Sequence, residues 1–251
     1  MAALRFITLF LFAILLHGCS CGCGNGGRNG ALRIGVDASW YPVDFGSQES
    51  YVNGFVEDLL LEVARYSGIE FERVDANWDT LLEGIREEKY EAVLTSLPPY
   101  PFNLAKYDFS ENFLDLGPVL VVPVDAPSSD LGEMKGELVG IIEGDPAALI
   151  LSKHPEVILR NYRSIPELLN ALANGDIEGA LLNQVPAASY VSDLFAGKLK
   201  IASKPMTDFG LHLAVAKGEY SSLIRDFNQS VDHLKKKKTM RELLVKWNLG
   251  N

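Results

Sequence analysis

The sequence predicts an α/β protein of two lobes joined by two extended strands. Three observations predict it. An alternation of strand and helix patterns, β-α-β-α-β, runs from residue 32 to 95, and the same order recurs from 138 to 182. Two apolar stretches, Pro118–Val124 and Leu211–Val215, lie where a chain would cross between two such units.

The elements follow in order. Leu32, Ile34 and Val36 alternate with strand period. Gly54–Tyr66 reads as a helix with Phe55, Leu59, Leu60 and Val63 on one face and Gly68 as its stop. Ile69–Val74 is a second strand. Asp79–Glu88 is a helix carrying Leu81, Leu82 and Ile85 inward, and Ala92–Thr95 is a short buried strand. In the second unit Leu138–Ile142 is a strand. Asp145 is placed to cap a helix with Pro146 at its first position. Val157–Leu159 is a strand. Ser164 and Glu167 have the spacing of a capping box, opening a helix that stops at Asn174-Gly175 before the strand Ile177–Leu182. Helices close the chain. The run Lys235–Lys238 among them reads as a solvated helix turn.

The N-terminal stretch stands apart from this pattern. Arg5 precedes Phe6–Leu16, eleven residues that are apolar except for Thr8. Eleven suits a secretory signal better than a membrane span. Leu16-His17-Gly18-Cys19 then resembles a bacterial lipobox. That resemblance implies a signal peptide over residues 1–18 and lipidation at Cys19, with plain cleavage nearby as the alternative. Residues 21–30 contain G-x-G-x-x-G at Gly22, Gly24 and Gly27, but no strand precedes it and no helix follows. Residues 19–31 read instead as a flexible tether.

Composition excludes several classes of function. The chain has 251 residues, 47% hydrophobic and 22% charged, with a net charge of −10. So acidic a surface disfavours nucleic acid. All three cysteines lie in Cys19-Ser-Cys21-Gly-Cys23, which leaves none for a disulfide in the folded part and too few ligands there for a tetrahedral metal site. His154, His212 and His233 show no metal-ligand spacing, and no G-x-S-x-G nucleophile elbow occurs. An enzyme is not expected, and neither is a cofactor.

Open α/β sheets bind ligands beyond the carboxyl ends of their strands. That rule selects Asp37–Trp40, Asn77–Asp79 and Thr95–Pro98 in the first unit. It selects Glu143–Pro146 and Asn183–Gln184 in the second. A cleft between lobes would gather all five.

Several segments together carry a family resemblance: VDASWYPVDF (36–45), the run at 53–59, the block at 92–113, LVGIIEGD (138–145), GDIEGALL (175–182) and FGLHLAVAKGE (209–219). Over roughly residues 32–249 the chain resembles the extracytoplasmic solute-binding proteins of polar amino-acid ABC importers. The resemblance implies a periplasmic binding protein-like type II fold, with two mixed sheets joined by a two-strand hinge. Lobe 1 would comprise 32–118 plus 212–251, and lobe 2 would comprise 119–211. It further implies a monomeric receptor outside the cytoplasm, anchored to the membrane by lipid, that closes on a small solute and delivers it to an ABC permease.

The same resemblance locates a binding site and departs from its usual form. The family's arginine for the solute carboxylate falls on Asn103. Its backbone donor falls on Pro98, which has no N–H. The lobe 2 hydroxyl falls on Asp145, and the aspartate for the amino group falls on Asn183, or on Gln184 with a shift of one residue. Hydrogen bonds to charged groups contribute about 1.5–3 kcal/mol each. Losing two or three costs about 4 kcal/mol or more, on the order of a thousandfold in Kd. The expected site is Asp37, Trp40, Trp78, Thr95, Ser96, Leu97, Asn103, Asp145, Asn183 and Gln184, with Trp40 and Trp78 against the solute. Asp44 reads as surface. Aromatic faces attract cations, so the expected solute is neutral or cationic: an amino acid, an amine or a peptide-like molecule. A surface receptor or adhesion lipoprotein on the same scaffold is the alternative. A dehydratase of the cyclohexadienyl type is disfavoured, because its acid substrate wants the cationic clamp.

Overall fold

In the computed structural model, residues 30–250 are described, apart from Pro42, Asp44 and Ser129. The signal, Cys19, Cys21, Cys23, Asp44 and nearly all of the tether lie outside the described residues.

The first lobe opens with β1 (Leu32–Asp37), α1 (Glu49–Ser67), β2 (Phe71–Ala76), α2 (Trp78–Arg86) and β3 (Ala92–Thr95). A one-turn helix α3 (Pro101–Leu104) and short strands β4 (Tyr107–Phe109) and β5 (Leu114–Asp115) follow. The second lobe holds β6 (Pro118–Pro123), β7 (Leu138–Ile142), α4 (Ala148–Leu151), β8 (Ile158–Tyr162), α5 (Ile165–Asn174), β9 (Gly179–Asn183), α6 (Gln184–Ser192) and β10 (Leu199–Ile201). The chain then returns through β11 (Gly210–Ala216) to α7 (Ser221–Lys236) and α8 (Thr239–Lys246).

Both sheets are mixed. The first has the order β2-β1-β3-β11-β4, with β5 also on β11; the second has the order β10-β6-β9-β7-β8. β1 is parallel to β2 and β3, whereas β11 runs antiparallel to β3. β7 is parallel to β8 and β9, whereas β6 runs antiparallel to β9. The two crossing segments of the sequence therefore become interior strands of the two sheets. Their flanks bond to each other: Leu116 N–H donates to Phe209 O at 2.9 Å and Met206 N–H to Pro118 O at 2.8 Å. Gly117 permits this approach, since a Cβ there would lie 2.8 Å from the backbone oxygen of Thr207.

Burial explains most elements. α1 buries Val52, Phe55, Val56, Leu59 and Val63 in one stripe and ends at Gly68 in the left-handed region. It begins five residues before the expected start. Gly54 lies inside it and makes room for Trp247, whose ring would be 2.2 Å from a Cβ at that position. Ser164 accepts from Glu167 N–H and Gly175 ends α5, as predicted, while Glu167 accepts in turn from Arg163 N–H, one residue before the cap, rather than from Ser164 N–H. Around Asp145 the expectation needs correction. Its Oδ1 accepts from Ala147 N–H at 2.7 Å, but the helix starts only at Ala148, so Pro146 belongs to the turn. The run at 235–238 is exposed at the junction of α7 and α8, as a solvated turn should be. Helix α6 touches both lobes: Val185 packs into the first lobe's core and Ala187 into the second's.

Candidate functional site

Asp37 ends β1, Thr95 ends β3, and Trp78 opens α2 directly after β2. These three places form one edge of the first sheet. Asp37 Oδ1 accepts from the N–H and the hydroxyl of Ser39 at 3.0 and 2.8 Å, which folds the chain back after the strand. The Ser96 hydroxyl reaches Trp40 O and Tyr41 O, each at 3.3 Å, and so ties the β3 end to the same loop.

The structure corrects the expectation that Trp40 faces the cleft. Trp40 is 2% exposed and lies in the first lobe's core, its indole N–H donating to Asn53 Oδ1 at 2.9 Å. Its φ of 57° turns the chain so that the next residue points outward. Tyr41, 57% exposed, takes the outward place and stands edge-on to Trp78 at 5.5 Å and 63°. Sequence reasoning missed Tyr41. Two adjacent aromatics gave the signal, but only the backbone turn decides which of them is buried.

The segment after β3 has committed much of its polarity internally. Leu97 N–H donates to Thr95 Oγ1 at 3.0 Å. Asn103 is buried, its amide donating to Pro98 O at 2.8 Å, so it fastens its own loop. Tyr100 and Phe102 stand exposed on that loop, 6.0 Å apart.

In the second lobe Asp145 follows β7 and is half-buried. Asn183 ends β9 and is exposed without capping α6, and Gln184 N–H donates to Gly117 O at 3.1 Å. None of the described hydrogen bonds joins Asp145, Asn183 or Gln184 to the first-lobe set. The structure thus unites Asp37, Trp78, Thr95, Ser96 and Leu97 with Tyr41, and leaves the second-lobe residues on their own strand ends.

One further group lies beneath this edge. His212, on β11, pairs with Thr95 across the sheet and is 5% exposed. Its Nδ1 lies 2.9 Å from Ser110 O and its ring meets Phe109 edge-on at 5.8 Å. Burial pushes its pKa below the ordinary histidine value, opposed by the Ser110 carbonyl and by Asp115. Among the described residues no group of three or more His, Cys, Asp and Glu could hold a metal ion.

Residues 32–250 match the family model described as bacterial extracellular solute-binding proteins, family 3. The arginine-binding extracellular protein ArtP of Bacillus subtilis is 23% identical over 239 residues, covering 92% of each chain. The ABC transporter arginine-binding protein 1 of Escherichia coli is 22% identical, covering 86% of this chain and 90% of the other. The L-cystine solute receptor of Neisseria gonorrhoeae, solved in the unliganded open conformation, superposes with a TM-score of 0.69 at 18% identity. That match covers 89% of this chain and 94% of the other.

Proposed function

The chain belongs to the bacterial extracellular solute-binding proteins, family 3, and from that premise we propose that it is the receptor of an amino-acid-type ABC importer. It captures a small polar solute between its lobes and hands it to the permease. The site is atypical, for it lacks the usual grip on a free carboxylate. The observation that carries this reading is the state of the loop after β3. The position where a basic side chain would serve is Asn103, whose amide is spent on Pro98 O, and Leu97 N–H is spent on Thr95. Asp145, the counterpart in lobe 2, adds negative charge, and its Oδ1 accepts from Ala147 N–H of its own turn.

The recognising surface is then the edge pair Tyr41 and Trp78, with Asp37 beside them. A neutral or cationic solute suits an aromatic pair and a carboxylate. The arginine-binding relatives favour the cationic side. The receptor is a periplasmic monomer, held to a membrane of the cell envelope by a lipid on Cys19, and it needs no cofactor.

Mass spectrometry of whatever leaves the purified protein on denaturation identifies the solute. A thermal-shift screen of amino acids, amines, short peptides and nucleosides tests the same reading independently. A solute at a hundred times its Kd stabilises the native state by about 2.7 kcal/mol. A protein that carries nothing and answers to no small molecule is a surface receptor or adhesion protein rather than an importer's.

A further inference from the structure

Three buried polar atoms of the first lobe have no hydrogen-bond partner among the described residues, Asp37 Oδ2, Asn112 Oδ1 and His212 Nε2, and the first and last of them belong to one row of the sheet. Val36 pairs with Leu94, so Asp37 comes level with Thr95, and Thr95 pairs with His212. The three side chains also share a face. Residues two apart in a strand point the same way. Gly35 faces Tyr90, and Tyr90, Val93 and Ala214 belong to the cluster under α2. Asp37, Thr95 and His212 are the next residues along on that face.

Chemistry fixes what the two atoms want. Ser110 O can only accept, so His212 Nδ1 carries the proton that bonds it. In the neutral ring Nε2 is then a lone-pair acceptor. Asp37 Oδ2 is an acceptor as well, while Oδ1 is occupied by Ser39. Both residues are more than nine-tenths buried, at 7% and 5% exposure. An unmet acceptor at such depth is costly, so a donor that reaches it gains more than it would at the surface. Strands lie about 4.8 Å apart, so the two backbones stand about 10 Å apart with Thr95 between. The group that satisfies both must carry N–H donors in more than one direction and tolerate a carboxylate.

We infer that His212 is a specificity-determining residue of the solute site, pairing with Asp37 across Thr95 to accept the N–H groups of a nitrogen cation, guanidinium or alkylammonium, on the bound solute. The inference rests on the receptor reading above and narrows it to cationic solutes. The cation enters past Tyr41 and Trp78, which meet edge-on, Tyr41 in the loop that follows β1 and Trp78 at the start of α2 after β2.

The test is calorimetry and thermal shift at pH 7.5 on the wild type, His212→Leu and His212→Gln. The probes are L-arginine, L-lysine, agmatine and cadaverine, with L-glutamine and L-methionine as neutral probes. Removing the acceptor in His212→Leu is expected to weaken the tightest cationic probe tenfold or more and to change any neutral probe less than twofold. His212→Gln, which offers a side-chain oxygen, recovers part of the loss. If His212→Leu raises the melting temperature and binds the cation as tightly as the wild type, the atom is only an internal orphan and the inference falls. Binding of neutral probes alone by the wild type also overturns it, but leaves the receptor reading standing. If no probe and no solute from the wider screen shifts the wild type, both are overturned.

Discussion

Trp40 and Tyr41 are neighbours in the chain with opposite surroundings, one in the core and one 57% exposed. They should respond in opposite ways to truncation. Trp40→Ala empties a packed site and strands Asn53, and is expected to cost about 3–5 kcal/mol of stability by denaturant unfolding. Tyr41→Ala removes little packing and should change stability by no more than about 0.5 kcal/mol, while weakening the solute identified from the purified protein. Calorimetry on the two variants checks both halves. His212 supplies a pH signature. Burial lowers its pKa in the folded state, so between that lowered value and about 6.5 the unfolded chain binds the proton and the native one does not. Its contribution to stability is therefore complete above about pH 6.5 and declines as pH falls below it. The melting temperature of the wild type should drop more between pH 7.5 and 5.5 than that of His212→Leu.

Among the elements, α5 was the most legible in sequence and α6 the least. Ser164, Glu167 and Gly175 are local signals whose partners lie within a few residues. Ser164→Ala should cost about 1 kcal/mol, read as a lower unfolding midpoint at unchanged slope. Helix α6, by contrast, splits its apolar residues between two cores, so no single stripe marks it. The C-terminal helix α8 is held from a distance. Asp58 on α1 accepts from Lys246 Nζ and Trp247 Nε1, each at 2.6 Å, and its pKa is lowered chiefly by the Lys246 bond. Asp58→Ala is expected to speed amide exchange selectively in residues 239–250, with little change in the second lobe.

For the whole molecule the important place is where the flanks of the two crossing segments touch. Leu116–Pro118 and Met206–Phe209 bond across the junction, and Gly117 lies against Thr207. In a two-lobed receptor this junction is where the lobes are expected to turn. Gly117→Ala presses a methyl group onto backbone, a kind of overpacking that costs about 1–3 kcal/mol. It should lower the melting temperature and reduce the compaction seen by solution scattering when the identified solute is added. Unaltered compaction in this variant would place the turning axis elsewhere.

The residue pattern by itself determined the two β-α-β-α-β units and which of their loops fall at strand ends. Those features follow from periodicity and capping, which act over a few residues. Tertiary structure alone decided that Trp40 is core and Tyr41 is exposed, because a single backbone angle of 57° makes that choice. It alone set His212 level with Asp37, for these residues lie 175 positions apart in sequence and only the pairing of β1, β3 and β11 brings them to one row. It likewise decided that Asn103 is spent on its own loop. A side chain's type can be read along a line, whereas its partner depends on register and packing between distant strands.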